Sequence, residues 1–274
     1  MSHGETRLGK EIMMRKVMKL ATSAIVALAV SAGFVFLFAQ KTPAQSNDLV
    51  VVVSDGMKPS VEELVPQIEH AIGRKLAIQF NSSRNIREKI QSGEPFDVAI
   101  LTTDIIDDLI KQGKIAASTR TEIARTGMGV GVRAGTAKPD VSTSESLKRA
   151  LLAAKSISFN PSGASAPHIY EIFNHLGITE NVKSKLMLDP EAGRPQMNVA
   201  DGKADIVITL IPEIKFFKGV ELAGPVPGEL QSYISFGAGV ASNTSSADAA
   251  KALIKFITSP AAAPVLKSKA LEPR

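Results

Sequence analysis

The chain has 274 residues, 44% of them apolar, and contains no cysteine and no tryptophan. Disulfides, thiolate metal sites and a cysteine nucleophile are therefore excluded. The formal charge is +5, but residues 1–44 hold six Lys/Arg against two Asp/Glu, while the remaining 230 residues hold 26 against 25. A nucleic-acid binder keeps its positive excess on the folded domain, so nucleic acid is not expected as a partner.

The first segment reads as an export leader. Arg15, Lys16 and Lys19 precede an uncharged run over residues 20–39. A basic start, an apolar stretch and small residues at its end match a secretory signal, with Ala39 or Ala44 as the cleavage position. The same run is long enough to span a bilayer, so a retained N-terminal anchor stays open. In both cases the rest of the chain is expected in the periplasm or on the extracellular face of the membrane.

From residue 48 the pattern changes. DLVVVVS (48–54) is a β-branched run suited to a strand buried on both faces. Ser60 and Glu63 stand at capping-box spacing, and Val61, Leu64, Val65, Ile68 and Ile72 mark one helical face ending at Gly73, with Pro66 expected to kink it. KLAIQF is a second strand. After FNSS, Ile86 and Ile90 mark a helix stopped at Gly93; FDVAIL is a third strand, followed by a helix capped by Thr103 or Asp104. GMGVGVRAG (127–135) is a glycine-rich strand. The alternation then restarts with a helix at 144–154, the strand SISFN, the turn PSGASA and the helix PHIYEIFNHLG. A helix at 178–186, an amphipathic segment near 195–202, the strand ADIVITL, a loop at 223–231, the strand YISFGAGVA (233–241), the helix ADAAKALIKFI and a short terminal helix complete the pattern. Strands alternating with helices imply βαβ units and parallel sheets. Ligands of such sheets bind along the carboxyl edge.

Serines crowd that edge: Ser54 after the first strand, Ser82 and Ser83 after the second, Ser162 and Ser165 in the PSGASAP turn. Each is a helix cap, a nucleophile or a ligand donor. Nucleophilic serine needs a base within reach. The sequence has no G-x-S-x-G, and His168 and His175 fall in no recognisable motif, so a serine hydrolase is the least supported reading. His168, Glu171 and His175 lie at i, i+3 and i+7, too spread along a helix for one ion, and no metal site or cofactor is expected. No G-x-x-x-x-G-K-[ST] is present. Hydroxyls and free amides at helix N-termini instead make a ready anion site.

The order S-D-G-x-K-P, F-N-S-S, G-E-P-F-D-V-A-I-L, P-S-G-A-S-A-P, G-K-A-D-I-V-I-T and S-P-A-A-A-P-V-L resembles the molybdate-type periplasmic solute-binding proteins of ABC importers, across about residues 47–272. The resemblance implies the type II periplasmic binding protein fold, α/β and two-lobed, with parallel-dominated sheets joined by two crossing strands at 127–135 and 233–241. It divides the chain into a leader (1–44), lobe 1 (45–130), lobe 2 (131–232) and a return to lobe 1 (233–274). It also implies ligand contacts from Ser54, Ser83, the segment Gly163, Ala164 and Ser165, and Thr209; Ser82 and Ser162 join them as hydroxyls at the same junctions. Thr209 stands where the molybdate receptors carry tyrosine, and Arg84 and Arg194 flank the expected cleft. Guanidinium suits planar carboxylates, so a divergent branch taking small organic acids is implied alongside an oxyanion receptor. The expected protein is a non-enzymatic, monomeric receptor that closes on a small anion and passes it to an ABC transporter permease. A membrane-tethered ligand sensor of the same fold is the alternative.

Overall fold

The computed structural model describes residues 48–274; the leader expected over 1–44 lies outside the described residues. Two sheets meet on one long strand. The first holds β1 (Leu49–Ser54), β2 (Leu76–Asn81) and β3 (Val98–Thr102). Strand β1 pairs in parallel with both neighbours, Leu49 opposite Leu76 and Val51 opposite Val98. Its continuous β-branched sequence follows from this central position, since Leu49, Val51 and Val53 are buried in the main core on one face and Val52 in a smaller core on the other. The second sheet repeats the arrangement with β5 (Ile157–Phe159), parallel to β6 (Leu186–Leu188) and β7 (Ile206–Leu210).

Strand β4 (Thr121–Arg133) belongs to both sheets. Up to Gly127 it pairs antiparallel with β9 (Tyr233–Val240), which in turn pairs antiparallel with β3. From Met128 onward it pairs with β7, and from Gly129 also with β8 (Val220–Pro225). Terminal β10 (Glu272–Pro273) pairs with the first half of β4. The path across the molecule is β2-β1-β3-β9-β4-β7-β5-β6. Because β9 pairs only within the first sheet, the return crossing falls at residues 226–232, just ahead of the 233–241 expected. Strand β8 lies where the loop at 223–231 was expected to begin. The two Gly and two Pro of 223–231 read as turn, yet Gly224 and Pro225 sit at an edge where a strand tolerates them.

Helix α1 (Lys58–Ile72) begins two residues before the expected capping box, continuing a 3-10 turn over Asp55–Met57. Ser60 Oγ donates to the Met57 carbonyl at 2.7 Å instead of capping the helix. The helix runs on through Pro66, which lies on its exposed face. Leu64 and Ile68 pack with Leu253 and Ile257 of α9 (Ala247–Ile257) in the main core. A smaller core under α2 (Ser83–Gln91) and α3 (Thr103–Lys111) gathers Ile86, Ile90, Ile105, Ile106 and Leu109. Each such side chain, fully buried, contributes about 1.5–3 kcal/mol. The remaining helices are α4 (Ser144–Ala153), α5 (Ala166–His175), α6 (Thr179–Lys183), α7 (Arg194–Ala200), α8 (Ile211–Lys215) and α10 (Ala263–Ser268). Helix α6 is shorter than expected because Leu186–Leu188 leaves it for the sheet edge. Among the described residues, no helix is long and apolar enough to cross a membrane.

Candidate functional site

The carboxyl ends of β1, β2, β5 and β7 converge on one cavity of about 40 Å³. Ser54 closes β1, is 5% exposed, and caps nothing with its side chain. Ser82 is the N-cap of α2, where its Oγ accepts the Asn85 N–H at 3.2 Å. Ser83 Oγ accepts the Thr102 N–H at 3.1 Å, tying the start of α2 to the end of β3. Both oxygens serve as acceptors, so both hydroxyl hydrogens stay available to donate. Across the cavity, Ser165 precedes α5 without a side-chain capping bond. Gly163, Ala164, Ser165 and Thr209 line the cavity with Ser54, Ser82 and Ser83. The structure thus brings seven of the ten sequence candidates together.

The other three lie elsewhere. Arg84 and Ser162 line an adjoining cavity of about 180 Å³, which shares Ser83, Gly163 and Ala164 with the smaller one and also includes His168. Arg194 lines neither. Its neighbours Gly193 and Pro195 reach the small cavity, while its own Nε lies 3.6 Å from Asp189 and 3.5 Å from Glu191. That Nε is buried without a hydrogen-bond partner, and Nη1 of the same guanidinium lies 3.4 Å from Met197 Sδ. His168 Nδ1 sits 3.1 Å from Glu171.

Two carboxyl groups escaped the sequence reading. Asp55, next to Ser54, and Glu213, four residues after Thr209, both line the small cavity. The Thr209 hydroxyl donates to Glu213 Oε2. This commits the hydrogen that was expected to reach a ligand. Burial pushes the Glu213 carboxyl up to about 7; the Thr209 bond opposes the rise and the Asp55 charge adds to it. Burial likewise pushes Asp55 up to about 6 against the pull of Lys58. No lysine, arginine or histidine is among the residues lining this cavity. Gln196, only 5% exposed, also lines it, and its Oε1 has no hydrogen-bond partner.

Gly56 sets the position of Asp55. A Cβ there would come within 2.6 Å of Phe236 Cζ and 2.8 Å of Leu210 Cδ1. The S-D-G turn therefore rests directly on β9 and β7, and this contact carries the Asp55 carboxyl over to Glu213. Serine hydroxyls and the amides of long helix starts can hold an anion. The two carboxyls add groups that accept a hydrogen or exchange a proton near neutral pH.

A family model described as bacterial extracellular solute-binding protein matches residues 49–270. An aconitate isomerase of Pseudomonas sp. is 26% identical over 230 residues, covering 82% of this chain and 87% of that protein. The molybdate-binding protein ModA of Azotobacter vinelandii is 27% identical over 235 residues, covering 82% and 90%. In structure, the periplasmic molybdate-binding protein of Azotobacter vinelandii superposes with a TM-score of 0.68 at 18% identity, over 82% of this chain and 98% of that one. That likeness establishes the type II periplasmic binding protein fold.

Proposed function

This chain belongs to the bacterial extracellular solute-binding proteins, and we propose that within that family it is a monomeric, extracytoplasmic receptor that closes on a small anion and delivers it to an ABC importer. One observation carries the reading. A cavity of about 40 Å³ is enclosed between hydroxyls of both sheets, Ser54, Ser82 and Ser83 on one side and Ser165 on the other. Contacts made from two lobes to one ligand are what drive hinge closure. The volume is room for about three water molecules, or a single tetrahedral oxyanion. The adjoining cavity with Arg84 would extend the site for a larger carboxylate once the lobes part. The molybdate-binding relative supports an oxyanion as the ligand class.

The test is thermal unfolding against molybdate, tungstate, sulfate, phosphate and a panel of di- and tricarboxylates. A ligand at a hundred times its dissociation constant adds about 2.7 kcal/mol to stability. A shift with any of these anions supports the receptor; no shift with any of them rejects it.

The meeting of Asp55 and Glu213 favours a second reading, an enzyme that moves a proton. A general acid and base works best with a proton affinity near the working pH, and the relative named aconitate isomerase supports a carboxylic acid substrate. Conversion of cis- to trans-aconitate, followed by proton NMR, decides it. Turnover that disappears in Glu213→Gln supports the enzyme, and no turnover by the intact protein excludes it.

A further inference from the structure

We propose that the small cavity selects an anion that carries a hydrogen of its own, a monohydrogen oxyanion such as hydrogenphosphate, over fully ionised oxyanions such as sulfate and molybdate. This inference rests on the receptor reading and concerns what that receptor takes.

Three side chains present acceptor oxygens at the cavity. Asp55 and Glu213 line it as carboxyls, and Gln196 Oε1 is buried without a partner. The hydroxyls of Ser54, Ser83 and Ser165 line the same cavity. It therefore holds hydroxyl donors and carboxyl and amide acceptors together, with Ser54 and Asp55 side by side at the β1 junction. Sulfate and molybdate bring lone pairs only. They satisfy the serines but leave a buried carboxylate facing a second anion, which is the costly juxtaposition. Hydrogenphosphate keeps one O–H across the neutral range. That hydrogen can be donated to Glu213 or Asp55 while the remaining oxygens accept from the serines. A site built to pair a ligand hydrogen rejects the analogue lacking it more strongly than an apolar pocket rejects an extra group.

Proton uptake offers the other way to satisfy the acceptors. Among the described residues, the charged groups acting on the pair are Lys58, at the start of α1, which pulls on Asp55, and Asp55, which pushes on Glu213. Below the range where Glu213 and Asp55 ionise, their carboxyls become donors, and sulfate loses its handicap. Selectivity for the hydrogen-bearing anion is thus a property of neutral and alkaline solution.

The experiment is calorimetric titration of the purified protein with sodium sulfate, molybdate and phosphate at about pH 5 and about pH 8.5. At the higher pH phosphate binds at least roughly tenfold more tightly than sulfate or molybdate, the worth of one hydrogen bond to a charged acceptor. At the lower pH the preference narrows by a comparable factor. Glu213→Gln and, separately, Asp55→Asn lift sulfate affinity at the higher pH; the second variant decides the matter should the first fail to fold. Sulfate or molybdate bound as tightly as phosphate at the higher pH overturns this inference and leaves the anion receptor standing. Carboxylates as the sole ligands overturn it in the same way. None of these anions bound at either pH, together with no thermal shift from the di- and tricarboxylates, overturns the receptor itself.

Discussion

The side-chain amide of Gln231 grips the backbone of Met128 from both sides. Its Oε1 accepts the Met128 N–H at 2.7 Å and its Nε2 donates to the Met128 carbonyl at 3.0 Å. The same Nε2 donates to the Val226 carbonyl at 3.1 Å. Gln231 lies on the return crossing and Met128 on the outward one, so a single side chain ties the two connections between the sheets. Gln231→Ala removes all three bonds and strands a part-buried N–H. The expected loss is about 1–3 kcal/mol in denaturant unfolding, accompanied by weaker ligand binding because closure loses its common pivot. Unaltered stability with weakened binding would confine Gln231 to the motion.

Lowering the pH from about 8 to about 5.5 should stabilise this protein; further acid should not, since Glu69, Asp107, Asp140 and Glu229 are held below their usual range. The folded-state proton affinities of Glu213 and Asp55 lie above those of the unfolded chain, at about 7 and about 6 against 4.5 and 3.8. Between those limits the native state binds more protons, so the contribution of these groups to stability falls as pH rises from about 4 to about 7 and is level above that. Thermal midpoints measured without ligand are expected to be lower at pH 8 than at pH 5.5. Glu213→Gln should flatten the slope and raise the midpoint at pH 8.

Ser82 and Ser83 separate cap from contact. Ser82→Ala loses the hydrogen bond to the Asn85 N–H and should cost about 1 kcal/mol, the usual value of an N-cap. Ser83→Ala leaves the buried Thr102 N–H without its partner, at about 1–3 kcal/mol, and also removes a donor from the cavity. Calorimetry alongside unfolding should show the larger affinity loss at Ser83.

Gly56→Ala tests the perch of Asp55. The added methyl must displace the Phe236 ring or the Leu210 side chain. The expected cost is about 1–3 kcal/mol of overpacking, together with a loss of pH-dependent anion selectivity as Asp55 shifts from Glu213. Full selectivity in this variant would show that Asp55 is held from elsewhere.

Much of this architecture was legible in the chain. Strand β1 reads as central because four consecutive valines leave no polar face, and α3 reads as amphipathic because Ile105, Ile106 and Leu109 share one side. The serines that line the cavity stand out in the sequence because a hydroxyl at a strand-to-helix junction has few things to do. Asp55 and Glu213 were not found, for a physical reason. An acid in the first turn after a strand ordinarily sits in water near a helix start, and nothing local distinguishes these two. Their burial arises only when the β1 and β7 junctions, more than a hundred and fifty residues apart, close on the same cavity. Arg194 differs in the opposite sense. Its charge suggested a ligand contact, but the side chain is absent from the cavity lining and its Nε stands near Asp189 and Glu191, a few residues upstream.

The glycines of β4 have a different consequence from the one their name suggests. A Cβ at Gly129 would stand 2.7 Å from Leu222, and one at Gly131 would stand 2.8 Å from Val207. They make the strand thin, so that neighbouring layers close down on it, and a clamped strand does not bend freely along its length. Ladder pairing changes hands between Gly127, opposite Tyr233, and Met128, opposite Leu210. On this strand that single peptide divides the ladder of one sheet from the ladder of the other, so a turn of one sheet against the other about it would break neither.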